Sequence, residues 1–302
     1  MRANTRWASD EPILVTEGSG LTAIVAPERG AKIISLVDGR GVEWLGQPDR
    51  SVGPPARAGD DFLSAEMAGW DECAPAIVGC TVDGITVRDH GELWITQFAT
   101  TDTGVSAYDE TFGYLFTRDI VSTATGLRIE YRVETAERSI PFLWAAHPQF
   151  LAPPGTKVRL PNHVTTVVDV LAPGLPRLDW HEDLGSIDRI TSGGYRKLYV
   201  SPDEPVHSAG LVRPDGSELT LSWSDECPYL GVWLDRFSFR SGDHRARADH
   251  LLLRFPRDRH RTRPHSHDPP RHAVVVVGRA FRHRLIMYPP STNNAVPVMN
   301  DA

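Results

Sequence analysis

At 302 residues the chain is long enough to bury a large core, either as one extensive all-β domain or as two ordinary ones. Hydrophobic residues at 40%, charged residues at 24%, 24 prolines and 25 glycines describe a turn-rich globular protein without the long apolar run of a membrane span. The formal charge of −7 is unevenly spread, because Arg240 to Arg284 carries twelve arginines against four aspartates, while Glu226 is the last glutamate.

In chain order, the first segment has early arginines but no apolar stretch of the kind a secretory signal needs, which predicts a cytoplasmic protein. Short alternating runs follow: "LTAIVAP", "AKIISLVD", "GLRIEYRVET", "TKVRLP", "HVTTVVDV" and "ELTLSWS". Period-two runs rich in Val, Ile, Thr and aromatics read as half-buried strands. Turn chemistry separates them at Gly18–Gly20, Asp38–Gly41 and Asp83–Gly84. With no convincing amphipathic helix, repeat or Gly/Ser linker, the pattern favours an antiparallel sandwich or barrel over a βαβ fold. Cys73, Cys80 and Cys227 are too few and odd in number for a disulfide scaffold, so reduced thiols are expected.

Four stretches carry chemistry. In "AEMAGWDECAPAI", Trp70, Asp71, Glu72 and Cys73 stand between small residues and a proline, which predicts a functional loop. "RDHGELW" sets His90 before a glycine, with Glu92 close behind. In "FLWAAHPQF" an apolar strand delivers His147 directly before Pro148, which is expected to limit that strand's continuation. "CPYLGVWLD" is an aromatic strand holding Trp233 and ending in Asp235. Histidines, acids and indoles together suit a sugar, whose apolar faces stack on aromatics and whose hydroxyls need polar partners.

In that order, "GAKIISLVD", "GWDECAPAI", "DHGELW", "AAHPQF" and "PYLGVWL" resemble the aldose 1-epimerase (galactose mutarotase-like) family, in particular its bacterial members with a Gly-Trp-Asp-Glu loop. The resemblance covers roughly the first four-fifths of the chain and implies an all-β fold, a large antiparallel β-sandwich over residues 1–239. It further implies that His147 is the acid that protonates the sugar ring oxygen and that His90 binds and orients the sugar. Trp70, Asp71, Glu72 and Trp233 are then the substrate-binding candidates. The implied reaction interconverts anomers of a free hexose or related aldose by acid/base ring opening, with no metal and no cofactor. The implied partner is a small sugar, with neither nucleic acid nor membrane. Better-known galactose mutarotases carry an Asn and Arg pair in the first loop, where this chain has Glu72, so the sugar itself is not fixed.

The family's base is a late glutamate, and this chain has none after Glu226. Residues 240–302 form an atypical Arg/His/Pro-rich segment, with "RDRHRTRPHSHDPPRH" at Arg257–His272 as its extreme. With synonymous codons chosen, Ala246–Pro256 read one base later spells LEPTTCFYDS, and the same displacement of Asp268–Val274 permits TRPGTQW. Both resemble late family patterns, so a change of reading frame between Asp235 and Ala246 is expected, and the coding DNA tests it. Such an ending would leave the sandwich short of late strands, with "AVVVVGRAF" at Ala273–Phe281 as a substitute strand.

Each residue also has a plainer duty. His147 read without the family pattern is a hydrogen-bonded core histidine, and His90 divides evenly between function and turn structure. Tryptophans in strands usually pack inward. Cys73 and Cys80 do not have the usual spacing of zinc ligand pairs. The arginines could attract nucleic acid, but the segment lacks interleaved aromatics. A catalytically impaired sugar-binding protein of the same fold is the alternative to an active enzyme.

Overall fold

All six alternating runs lie on strands, and strands dominate the chain. The computed structural model describes residues 6–7, 12–82, 84–135, 142–201, 203–227 and 229–236, together with the backbone of His250–Arg254 and Ala273–Arg282. The tract Arg257–His272 lies outside the described residues.

Among the described residues two large sheets form the sandwich, beside a two-stranded hairpin of Cys80–Val82 and Ile85–Val87. The larger has ten strands in the order Leu14–Gly18, Leu21–Ala26, Lys32–Asp38, Trp70–Cys73, Ala145–Leu151, His250–Arg254, Gly231–Asp235, Tyr195–Val200, Thr166–Asp169 and Arg177–Asp179. The smaller has eight: Lys157–Arg159, Ser208–Val212, Glu218–Trp223, Ala273–Arg282, Gly126–Thr135, Tyr114–Thr123, Gly104–Asp109 and Ala99–Thr100. Apolar side chains of both inner faces, among them Trp70, Phe150 and Leu234 against Phe116, Tyr131 and Leu221, make one continuous buried cluster. This is a face-to-face sandwich with the core between the sheets. Among the described residues no helix is long and apolar enough to cross a membrane.

Among the named strands pairing is antiparallel except around one of them. Ala273–Arg282 lies inside the smaller sheet and runs parallel to both neighbours, with Val274 opposite Gly126 and Val277 opposite Trp223. The valine run does pair as a strand, between two neighbours in the interior of the sheet order. His250–Arg254 fills a second interior position, between Ala145–Leu151 and Gly231–Asp235.

Two local expectations need correction. Trp70–Cys73 is a central strand rather than a loop, paired with Ala145–Pro148 on one side and touching Lys32–Asp38 on the other. The irregularity lies just outside it, at Gly69 with φ +90° and at the proline after Ala74. Nor does Pro148 end its strand. Successive N–H groups of a strand point to opposite edges, and Gln149 donates to Gly69 O at 2.8 Å, so the donor that Pro148 lacks belongs to the other edge. On that edge, pairing with His250–Arg254 starts only at Gln149.

Candidate functional site

Alternation along the strand Trp70–Cys73 sends neighbouring side chains to opposite faces of the larger sheet. Trp70 and Glu72 point into the sandwich; Asp71 and Cys73 point to the outer face. Register carries that face across the sheet. Asp71 is opposite His147. Gln149, two residues on, shares the row of Leu252, Trp233 and Lys197.

The inward pair is structural. Trp70 is fully buried and meets Phe150 edge-on, with ring centroids 6.4 Å apart. Glu72 is 0% exposed and accepts three hydrogen bonds at 2.8 Å, from Arg118, the Tyr131 hydroxyl and the Trp144 indole. Neither side chain can reach a ligand on the outer face, so their expected part in sugar binding is not what this geometry gives them. Arg118 itself is 1% exposed and is held further by the carbonyl of Ala31. Burial pushes the Glu72 carboxyl above its ordinary range, against the pull of Arg118, Tyr131 and Trp144. The folded state therefore holds this proton more tightly than the unfolded chain does. The stability gained from it is complete below the ordinary carboxylate range and is lost as pH rises through the folded value. Accordingly, the stability advantage of wild type over Glu72→Gln should shrink between acid and neutral pH. Urea titrations of both proteins across that range measure it.

Outward, Asp71 is 1% exposed and pairs with Lys32 Nζ at 2.8 Å. The same ammonium donates to the carbonyls of Glu66 at 2.6 Å and Ala68 at 3.0 Å. Burial raises the Asp71 pKa while Lys32 draws it down. Asp71 thus has a partner already and anchors the segment that precedes its own strand.

His147, 0% exposed, lies beside Asp71 in register. His90 arrives from a different direction, on a turn in the left-handed region: φ is +61° at His90 and +67° at Gly91. That turn is tied to the sheet by Glu92 N to Ala74 O at 2.8 Å and by the Trp94 indole to Gly91 O at 3.0 Å. A Cβ on Gly91 would lie 2.0 Å from Ala74 O, so the His-Gly pair has a steric cause as well as a conformational one. Gly91→Ala should lower stability by more than about 2 kcal/mol and displace His90. Thermal melting and the His90 imidazole NMR signal check both effects.

The two imidazoles meet with centroids 5.6 Å apart and planes at 88°. His90 Nδ1 is 2.6 Å from Asp89 Oδ2, so this carboxylate orients the ring. Over this pair sits Phe62, stacked on His90 at 3.9 Å and 8° and edge-on to His147 at 5.1 Å. Phe62 also meets Trp94 edge-on at 5.1 Å. Trp94 lines a pocket of about 360 Å³, together with Trp7, Arg29, Lys32, Asp60 and Glu66. Neither imidazole lines that pocket.

Trp233 is half-buried, with Lys197 Nζ 5.3 Å from its ring centroid and Tyr195 at 6.2 Å. Its strand is two positions from that of His147, about 10 Å at ~4.8 Å per spacing. Phe62, Lys32 and Asp89 are the additions that sequence reasoning missed. Lys32 had a signal, as a charged residue set directly before the apolar pair Ile33 and Ile34; Phe62 had none.

Compared by sequence, the chain matches no family model and no curated protein. Solved structures do match its fold. Slr1438 from Synechocystis sp. PCC 6803 is 16% identical with a TM-score of 0.59, over 82% of this chain and 86% of that one. A galactose mutarotase-like protein from Clostridium acetobutylicum is 12% identical with a TM-score of 0.56, over 81% and 88%. YeaD from Salmonella typhimurium is 11% identical with a TM-score of 0.56, over 81% and 82%. Two strand-rich sheets packed with this order and coverage give the chain the galactose mutarotase-like fold.

Proposed function

We propose that the chain is an aldose 1-epimerase-like enzyme that interconverts the anomers of a free hexose or related aldose. The observation that carries this reading is the meeting of His90 and His147, brought together from a turn and a strand far apart in sequence. In the proposed reaction His147 gives its proton to the ring oxygen while a second group takes the proton of the anomeric hydroxyl. The C1–O5 bond breaks, the open-chain carbonyl turns, and reclosure returns both protons. His90, oriented by Asp89, accepts a hydrogen bond from a sugar hydroxyl. Trp233 offers a partly exposed indole on the same sheet face.

A second reading is a sugar-binding protein that no longer turns substrate over. It is favoured by the strand beside that of His147: His250–Arg254 contains no carboxylate, where the resemblance expects a glutamate base in a late strand. Asp235, two residues on from Trp233 in the same strand and so on the same sheet face, is the replacement base to examine, through Asp235→Asn. Polarimetry of freshly dissolved α-glucose and α-galactose separates the readings. Rotation reaching equilibrium faster with protein than without supports the enzyme. Saturable binding with no acceleration supports the second reading.

A further inference from the structure

The pocket and the imidazole pair are linked through two rings: Trp94 lines the pocket and meets Phe62, which covers both imidazoles. Phe62 belongs to a stretch with no regular strand or helix, between Gly53 and Glu66. Buried cations hold both of its ends: Arg29 Nη2 donates to Gly53 O at 2.7 Å, and Lys32 Nζ to Glu66 O at 2.6 Å. Its middle is organised chiefly by itself. Asp61 Oδ2 accepts from Ser64 N and Oγ, each at 2.9 Å, and Ala65 N donates to Asp61 O at 3.1 Å. A polar tie from the middle to the body is an exposed one, Arg88 Nη2 to Asp60 O at 3.3 Å. Otherwise the stretch docks through apolar side chains: the ring of Phe62, which is 3% exposed, is the fully buried one, and half-buried Ala56, Leu63 and Ala65 pack against the same cluster. Gly59, at φ +100° with open space around it, supplies a pivot between Gly53 and Phe62.

We infer that residues 54–65 form a lid whose latch is Phe62, and that its withdrawal joins the 360 Å³ pocket to the imidazole pair as one sugar-binding cleft. This rests on the proposed function for the identity of the ligand, though not for the motion. With clamped ends and an apolar latch, opening undocks the Phe62 ring and the smaller contacts of Ala56, Leu63 and Ala65, a local opening that lies below global unfolding. The pocket is within the range of small-molecule sites, about 300–1,000 Å³. Of its lining, Trp7, Trp94 and Glu66 lie outside the lid, and two indoles beside a carboxylate suit a polyhydroxylated ring rather than an apolar ligand. In the open state the flat face of a sugar would replace the phenyl ring against His90.

Chemical labelling of the histidines tests the lid independently of turnover. Treated with diethyl pyrocarbonate and mapped by peptide mass spectrometry, Phe62→Ala should carry label on His90 and His147 at least about tenfold faster than wild type, with Phe62→Leu between them. Circular dichroism verifies folding. Unchanged labelling in a folded Phe62→Ala protein overturns the lid. If labelling accelerates while no sugar is turned over or bound, the lid stands and the enzymatic reading falls. Should neither variant fold, amide exchange in the wild-type protein decides. Faster exchange in 54–65 than in Trp70–Cys73 and Ala145–Leu151 supports the lid; equal protection overturns it.

Discussion

Replacing Glu72 by alanine should lower stability by about 3–5 kcal/mol, read as a shift of the urea midpoint at constant slope. One carboxylate at the centre of the sandwich satisfies Arg118, Tyr131 and Trp144 together, and all three donors come from the strands it faces or from the segment beside them. Truncation strands a buried guanidinium, a hydroxyl and an indole N–H, and adds a cavity; leaving one such donor unmet already costs about 1–3 kcal/mol. Glu72→Gln should cost less, because one oxygen remains to accept. A loss below about 1 kcal/mol for the alanine variant would mean that water enters and takes over these bonds.

His147→Ala should remove most of any acceleration of mutarotation, by about 10²- to 10⁴-fold, the usual worth of a positioned general acid. Affinity for the sugar, followed by tryptophan fluorescence, should change far less, because the acid acts on the ring oxygen during bond breaking. His90→Ala should do the reverse, raising KM more than it lowers kcat, since its assigned duty is to hold the sugar. His147 is wholly buried at a strand centre, so His147→Gln serves as the less disruptive companion. Equal rates for wild type and both His147 variants would remove this residue from the chemistry.

Sequence alternation made the sandwich legible, since runs such as "GLRIEYRVET" could bury one face only as strands. It failed where the signal was read residue by residue rather than by face. Trp70, Asp71, Glu72 and Cys73 look like one cluster in the sequence, yet the pleat sends alternate members to opposite sides. Only Asp71 and Cys73 share a side with His147. Strand neighbours mattered as much: the Lys32–Asp71 and Arg118–Glu72 pairs join residues whose sequence separations, 39 and 46, leave no local trace. Phe62 was invisible for a further reason. A lone aromatic in an aperiodic stretch has no period to reveal which surface it covers.

Both sheets take an interior strand from the late part of the chain, His250–Arg254 in one and Ala273–Arg282 in the other. While the ribosome is still making the sequence before His250, each layer therefore has an unfilled slot flanked by strands with open hydrogen-bonding edges. Closing these slots requires contacts of very large sequence separation, which slows folding and prolongs exposure of apolar edges. A nascent chain of this protein should depend on a chaperone until its final segment emerges. Stalling translation shortly before codon 250 should leave an intermediate prone to aggregate.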